Sequence, residues 1–135
     1  KIDAFLKATP RFEQLLLDDG ILLFKYWLAT DQAQQEKRLT ERRADPLKQW
    51  KISPIDQQAQ KKWSAYSKCR NETLLTTSDL VPWTIVRAND KILAHLNLIC
   101  NLLSRVNYPN KNKQILKVDK DIVFEWSGKV SDLEK

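Results

Sequence analysis

The stretch Ile21-Leu22-Leu23-Phe24-Lys25-Tyr26-Trp27-Leu28-Ala29 is apolar on both alternating faces, with Lys25 as the one charged interruption. A strand with water on one face alternates between apolar and polar. One that does not alternate is covered on both faces, as in a parallel sheet between helices. A second run of this kind, Trp83-Thr84-Ile85-Val86-Arg87, follows Pro82. Lys25 reads as a lysine whose stem packs while its head reaches the sheet end or a carboxylate.

Outward from these runs the spacing becomes helical. Thr9-Pro10 reads as a helix start, with Thr as cap and Pro preset for the first helical position. Phe12, Leu15 and Leu16 follow, and Gly20 is placed to close that helix in left-handed geometry. Thr30-Asp31 opens a charged helix to about Ala44, ended by Asp45-Pro46, because the residue before proline avoids helical geometry. Ser53-Pro54-Ile55-Asp56 is a further start signal. Ile55, Ala59, Trp63, Tyr66 and Cys69 then form one stripe of a helix that frays near Thr76-Thr77-Ser78. Asn89-Asp90 caps a helix with Ile92, Leu96, Ile99 and Leu103 on its apolar face, Leu93 and Cys100 beside them, and His95 on its outer side. From Asn107 the chain is polar and basic apart from Ile122-Val123-Phe124, which predicts an arm over about 107–135 that packs onto something else. Strands alternating with helices argue for an α/β fold with a parallel sheet. Two strands alone cannot make a sheet buried on both faces, so either they pair with another part of the protein, which makes this a partial, helix-rich fragment, or the strand assignment is wrong.

Composition narrows the chemistry. At 135 residues the chain is long enough for one domain. Its two glycines, Gly20 and Gly128, cannot write a Gly-rich phosphate loop, a dinucleotide fingerprint or a nucleophile elbow. One histidine and two cysteines leave the usual structural zinc site short of ligands. Both cysteines fall in apolar-periodic segments and read as buried free thiols, which fits a reducing, cytoplasmic setting. No apolar run is long enough for a membrane span, and Lys1 to Pro10 lack the apolar core of a secretory signal. The chain starts at Lys1 and contains no methionine, as expected of a fragment or processed product.

The net charge of +6 is not spread evenly. Lys37 to Arg70 holds ten basic residues against three acids, a net +7, and the remainder nets −1. Within it, Arg42-Arg43-Ala44-Asp45-Pro46-Leu47-Lys48-Gln49-Trp50-Lys51 places four cations around a helix break. Arginine forks onto phosphate oxygens and lysine acts as a mobile point charge, so the cluster suits an anionic, repetitive ligand. Two ligand classes fit: nucleic acid, with Trp50, Trp63 or Tyr66 stacking on bases, and phosphoryl groups in a kinase cleft. Trp63 and Tyr66 lie on the apolar stripe and read as core, which weighs against nucleic acid. Thr30-Asp31 and Asn89-Asp90 follow the carboxyl ends of the two strands, where open parallel sheets bind ligands. Helix capping also explains them.

Phe12-Glu13 through Trp27, the run from Arg42 to Asp56, Pro82-Trp83-Thr84-Ile85-Val86, Leu102-Leu103-Ser104-Arg105 and Asp121-Ile122-Val123-Phe124-Glu125 together resemble the C-terminal half of a type 2 polyphosphate kinase. The resemblance implies a P-loop-kinase fold, a parallel sheet between helices with a mobile helical lid over about residues 37–78. It implies reversible phosphoryl transfer between inorganic polyphosphate and a nucleotide, with magnesium. Arg42 and Arg43 would be catalytic, Lys48 and Lys51 phosphate-binding, and Asn89 and Asp90 close to the nucleotide. The family's Gly-rich Walker loop and its acidic metal motif have no counterpart here. The chain alone is therefore expected to be inactive, and the magnesium ligands are expected in an N-terminal half. The partners implied are polyphosphate and nucleoside phosphates, with no membrane and no nucleic acid, in a homo-oligomer. A non-catalytic, basic nucleic-acid module and a degenerate regulatory relative are the alternatives.

Overall fold

The computed structural model describes residues 2–133. Residue 1 and residues 134–135, the ends of the expected domain and arm, lie outside the described residues. The elements, in order, are α1 (Ile2–Asp18), β1 (Lys25–Ala29), α2 (Gln32–Ala44), α3 (Pro54–Ala59), α4 (Trp63–Thr76), β2 (Trp83–Arg87), α5 (Lys91–Arg105) and β3 (Val123–Glu125). Single 3-10 turns lie at Gln49–Lys51 and Val130–Leu133.

The α/β architecture agrees with the sequence, with β1 and β2 adjacent and parallel in the register Lys25↔Trp83 to Ala29↔Arg87. The sheet is not wholly parallel. Its order is β1-β2-β3, and β3 runs antiparallel to β2, pairing Ile85 with Phe124 and Val86 with Val123. The arm expected to pack onto something else is thus corrected: its apolar patch folds back onto the chain's own sheet. Isolated apolar residues in a polar tail have a low-cost destination in an unpaired β2 edge.

Alternation along β2 divides the core. Ile85 packs on one face with Leu74 of α4, Trp126 and Leu133. Val86 packs on the other with Ala94 of α5, Ala88 and Val123. β2 is therefore covered on both faces, as its composition requires, whereas β1 lies at the sheet edge and Leu28 is exposed.

Four local expectations are corrected. Helix α1 begins at Ile2, with Pro10 inside it. The proline removes the N–H that would bond the Leu6 carbonyl. The helix carries through because Leu6 and Glu13, two turns apart, share the buried face. The strand expected from Ile21 starts only at Lys25. Gly20 (φ 82°) and the bonds Ile21 N–H to Leu16 O (3.0 Å) and Gly20 N–H to Leu17 O (2.9 Å) close α1 first. The helix after Ser53 is broken at Lys62 (φ −105°, ψ 13°), so its stripe does not run straight: Ile55, Tyr66 and Cys69 are exposed and Cys100 alone of the two thiols is buried. On α5 the buried positions are Ala94, Asn97 and Cys100, and the apolar face expected to be core is open, with Ile92 79% exposed. Small side chains let α5 approach the sheet closely, so the larger ones point elsewhere.

Lys25 has the carboxylate its position called for. Its Nζ lies 2.9 Å from both Glu13 carboxylate oxygens, donates also to the Thr77 carbonyl, and sits 5.1 Å above the Trp83 ring. Charge, carbonyl and ring satisfy an ammonium that is nearly removed from water. This contact joins α1, β1 and the end of α4.

Candidate functional site

Helix α2 is anchored at the carboxyl ends of both long strands. Asp31 caps it, accepting from the Gln34 N–H at 2.7 Å. Asn89, after β2, accepts from the Asp31 N–H at 3.2 Å and donates to the Asp31 carboxylate. Asp90 caps α5 through the Ile92 and Leu93 N–H groups (2.8 and 3.0 Å). Capping therefore accounts for the bonds that Asp90 makes, whereas Asn89 ties its loop to the cap residue of α2.

Two turns into α2, Arg38 reaches back to the sheet. Its Nη2 donates to the Ala88 carbonyl and, at 3.0 Å, to that of Asn89; its Nη1 lies 3.5 Å from Thr30 Oγ1. One turn further, Arg42 Nη1 lies 3.8 Å from Asp56 Oδ2. Asp56 is held in turn by a capping box at the start of α3: Ser53 Oγ accepts from the Asp56 N–H (3.2 Å) and Asp56 Oδ2 from the Ser53 N–H (3.1 Å). Gln60, at the bend between α3 and α4, donates to Gln35 Oε1 at 2.9 Å and accepts from Gln32 at 3.2 Å. A glutamine clasp and an ion pair thus hold the second limb of this basic segment against the first.

Two cavities result. A polar one of about 270 Å³ is lined by Thr30, Gln35, Arg38, Leu39, Arg42 and Asp56. A larger one of about 510 Å³ shares Thr30, Gln35 and Asp56 with it and is otherwise walled mainly by Trp27, Leu28, Ile55, Ala59, Trp63, Tyr66 and Arg70. Trp63 and Tyr66, expected in the core, line this opening instead.

The residues expected to act together are only partly assembled. Arg42 lines the polar cavity; Arg43, Lys48 and Lys51 are exposed outside it. Lys48 pairs with Asp45 at 2.8 Å, and its hydrogen bond, followed by the Leu47 N–H, holds the Asp45 carboxyl below the usual range. The same contact raises the Lys48 ammonium above its ordinary value. Lys51 stands 5.0 Å over the ring of Trp50. Sequence reasoning placed Thr30 at a strand end and Asp56 in a helix cap without joining them to the basic cluster, and it singled out neither Arg38 nor Gln35. The four-residue spacing of Arg38 and Arg42, which stacks them on one helix face, was the available signal. Among the described residues no three His, Cys, Asp or Glu side chains converge as a metal site.

The α/β core thus carries a basic helical hairpin at the carboxyl ends of its two parallel strands. The family model for Polyphosphate kinase 2 (PPK2) matches residues 1–114, and the chain belongs to that family. It is 43% identical over 115 residues to a GDP-polyphosphate phosphotransferase of Mycobacterium tuberculosis, covering 84% of this chain and 39% of the relative. It is 41% identical over 113 residues to NDP-polyphosphate phosphotransferase 2 of Ruegeria pomeroyi, covering 83% and 33%. The crystal structure of polyphosphate kinase 2 from Arthrobacter aurescens TC1 aligns with a TM-score of 0.71 at 28% identity, over 82% of this chain and 42% of that one. The chain thus spans roughly two-fifths or less of the two curated relatives.

Proposed function

We propose that this chain is the lid-bearing part of a polyphosphate:nucleotide phosphotransferase, moving a phosphoryl group between inorganic polyphosphate and a nucleoside diphosphate. The observation that carries the reading is Arg42, set in a polar cavity at the strand ends and held by a 3.8 Å ion pair that a phosphate can replace. Phosphoryl transfer needs positioning and charge stabilisation more than covalent help from the protein. Arg42 would leave Asp56 and donate its N–H groups to the transferring group's oxygens. Arg43, Lys48 and Lys51, on the exposed side, would follow the phosphates leading away from it. The loop of Asn89 and Asp90, fixed by its caps, would border the nucleotide.

The Gly-rich phosphate cradle is contributed from outside these 135 residues, since two isolated glycines cannot form it. The magnesium ligands belong outside them as well. No helix among the described residues is long and apolar enough to cross a membrane. An exposed, unpaired Cys69 supports a reducing, cytoplasmic setting. The open apolar face of α5 supports self-association, and the small size of the polar cavity supports a compact phosphate ligand.

The test is a chimera in which this chain replaces the matching segment of an active relative. It is expected to form nucleoside triphosphate from the diphosphate and polyphosphate, and the chain alone is expected to form none. A well-folded chimera without transfer would overturn the reading.

A further inference from the structure

The polar cavity holds an imbalance that the arginine doublet does not explain. Arg38 and Arg42 both line it, and Asp56 is the one carboxylate among its lining residues. Asp56 is already divided between the Ser53 N–H and Arg42. Arg38 makes no ion pair among the described residues; its partners are two carbonyls and a hydroxyl. Its Nε is buried and has no hydrogen-bond partner. A half-buried guanidinium whose enclosed Nε has no acceptor, with no carboxylate beside it, is completed most favourably by an anion.

The neighbouring polar groups are also set to donate. Thr30 Oγ1 accepts from Arg38, which leaves its hydroxyl hydrogen available. Gln35 Oε1 accepts from Gln60, which leaves its Nε2 hydrogens available. At about 270 Å³ the space falls below the roughly 300–1,000 Å³ of pockets that take whole small molecules. It suits one tetrahedral oxyanion.

We propose that Arg38 and Arg42 form a two-arginine subsite for a single phosphoryl group, completed by Thr30 and Gln35. Arg38 is the second guanidinium there, and Arg43 serves the chain outside. The inference rests on the proposed function for the identity of the ligand. That ligand is the terminal phosphoryl of either polyphosphate or a nucleoside diphosphate.

The experiment titrates the 135-residue chain calorimetrically at low ionic strength with inorganic tripolyphosphate and, separately, with ADP. Arg38→Lys keeps the charge and loses the fork. Thr30→Val removes one donor and leaves Arg38 in place, so it remains informative if the arginine variant is unstable. Lys37→Gln removes a charge from the same helix without touching the cavity. Arg38→Lys is expected to weaken tripolyphosphate about tenfold and Thr30→Val about threefold, with Lys37→Gln within about twofold. Loss for tripolyphosphate alone assigns the subsite to polyphosphate; loss for both ligands assigns it to the terminal phosphoryl of either. If Arg38→Lys and Thr30→Val bind within twofold of wild type, or Lys37→Gln weakens binding as much as Arg38→Lys, the subsite is overturned. The proposed function then stands or falls on the chimera alone. An inactive chimera beside Arg38-dependent binding would remove the function and keep the subsite.

Discussion

Two ion pairs of similar chemistry occupy opposite environments in this chain. Lys25 and Glu13 meet at 2.9 Å between α1 and the sheet, with side chains 8% and 6% exposed. Arg42 and Asp56 meet at 3.8 Å across the basic hairpin, 36% and 27% exposed. The buried pair has an additional carbonyl and an aromatic ring on the ammonium, so neither partner can leave without stranding a charge. The open pair is long, solvated and weak. Burial fixes the first as part of the fold and leaves the second free to exchange partners. A chain that binds multiply charged anions needs both: a rigid seat for the hairpin, and cations on it that are not already spoken for.

The largest effect expected is on the buried pair. Glu13→Gln should cost about 3–5 kcal/mol of unfolding free energy in urea, while the double variant Glu13→Leu/Lys25→Met recovers most of it. A single-variant loss under 1 kcal/mol would erase the contrast. Arg42→Ala should do the reverse. In the active chimera kcat falls by on the order of 100-fold or more, and the melting curve of the chain barely moves, because an open pair contributes at most about 1 kcal/mol. Undiminished turnover would remove Arg42 from the reaction. Leu47, 83% exposed at the hairpin tip, should tolerate Leu47→Ala within about 0.5 kcal/mol. By contrast Leu74→Ala, in the core, should cost about 2–5 kcal/mol.

The smallest effect concerns Asp45 and Lys48. The Asp45 carboxyl is lowered, so its contribution is present above its unfolded-state value and fades as pH falls through the folded one. Lys48 is raised, so its contribution is complete below its unfolded-state value and fades as pH rises through the folded one. Both groups are well solvated, so a carboxyl NMR titration is the suitable readout. In Lys48→Met the Asp45 midpoint should rise toward the ordinary range, and an unmoved midpoint would show that the contact is absent in solution.

How much of this was legible in the residues follows the same division. Local chemistry carried well. Ser53-Pro54-Ile55-Asp56 formed its capping box, Gly20 took its left-handed place, Asp31 and Asp90 capped their helices, and the carboxylate expected for Lys25 was Glu13. Burial carried poorly. Apolar periodicity named a face on α5 and on α3–α4, but it does not say whether that face meets a sheet or an opening. On α5 the sheet chose the small residues Ala94 and Cys100. The tail was misread because strand pairing between β2 and β3 depends on an edge nearly forty residues away, which no local pattern encodes. At the site, Arg42 and Arg43 were singled out by the cation cluster at the helix break and by the family resemblance, and adjacent helical residues face different ways. Arg38 shares the face of Arg42, and its carbonyl partners at 88 and 89 became visible only through the fold.

The return of β3 to β2 also has a consequence for biosynthesis. Val123, Trp126 and Leu133 complete both halves of the core, and they leave the ribosome after everything they cover. Until then the nascent chain carries a bare β2 edge and an uncovered Ile85. The preceding helices can form early, but this sheet seals only once residues 123–133 have emerged. Vectorial folding of this sheet therefore waits for its third strand, and a product cut short before residue 123 would be prone to pairing with its neighbours.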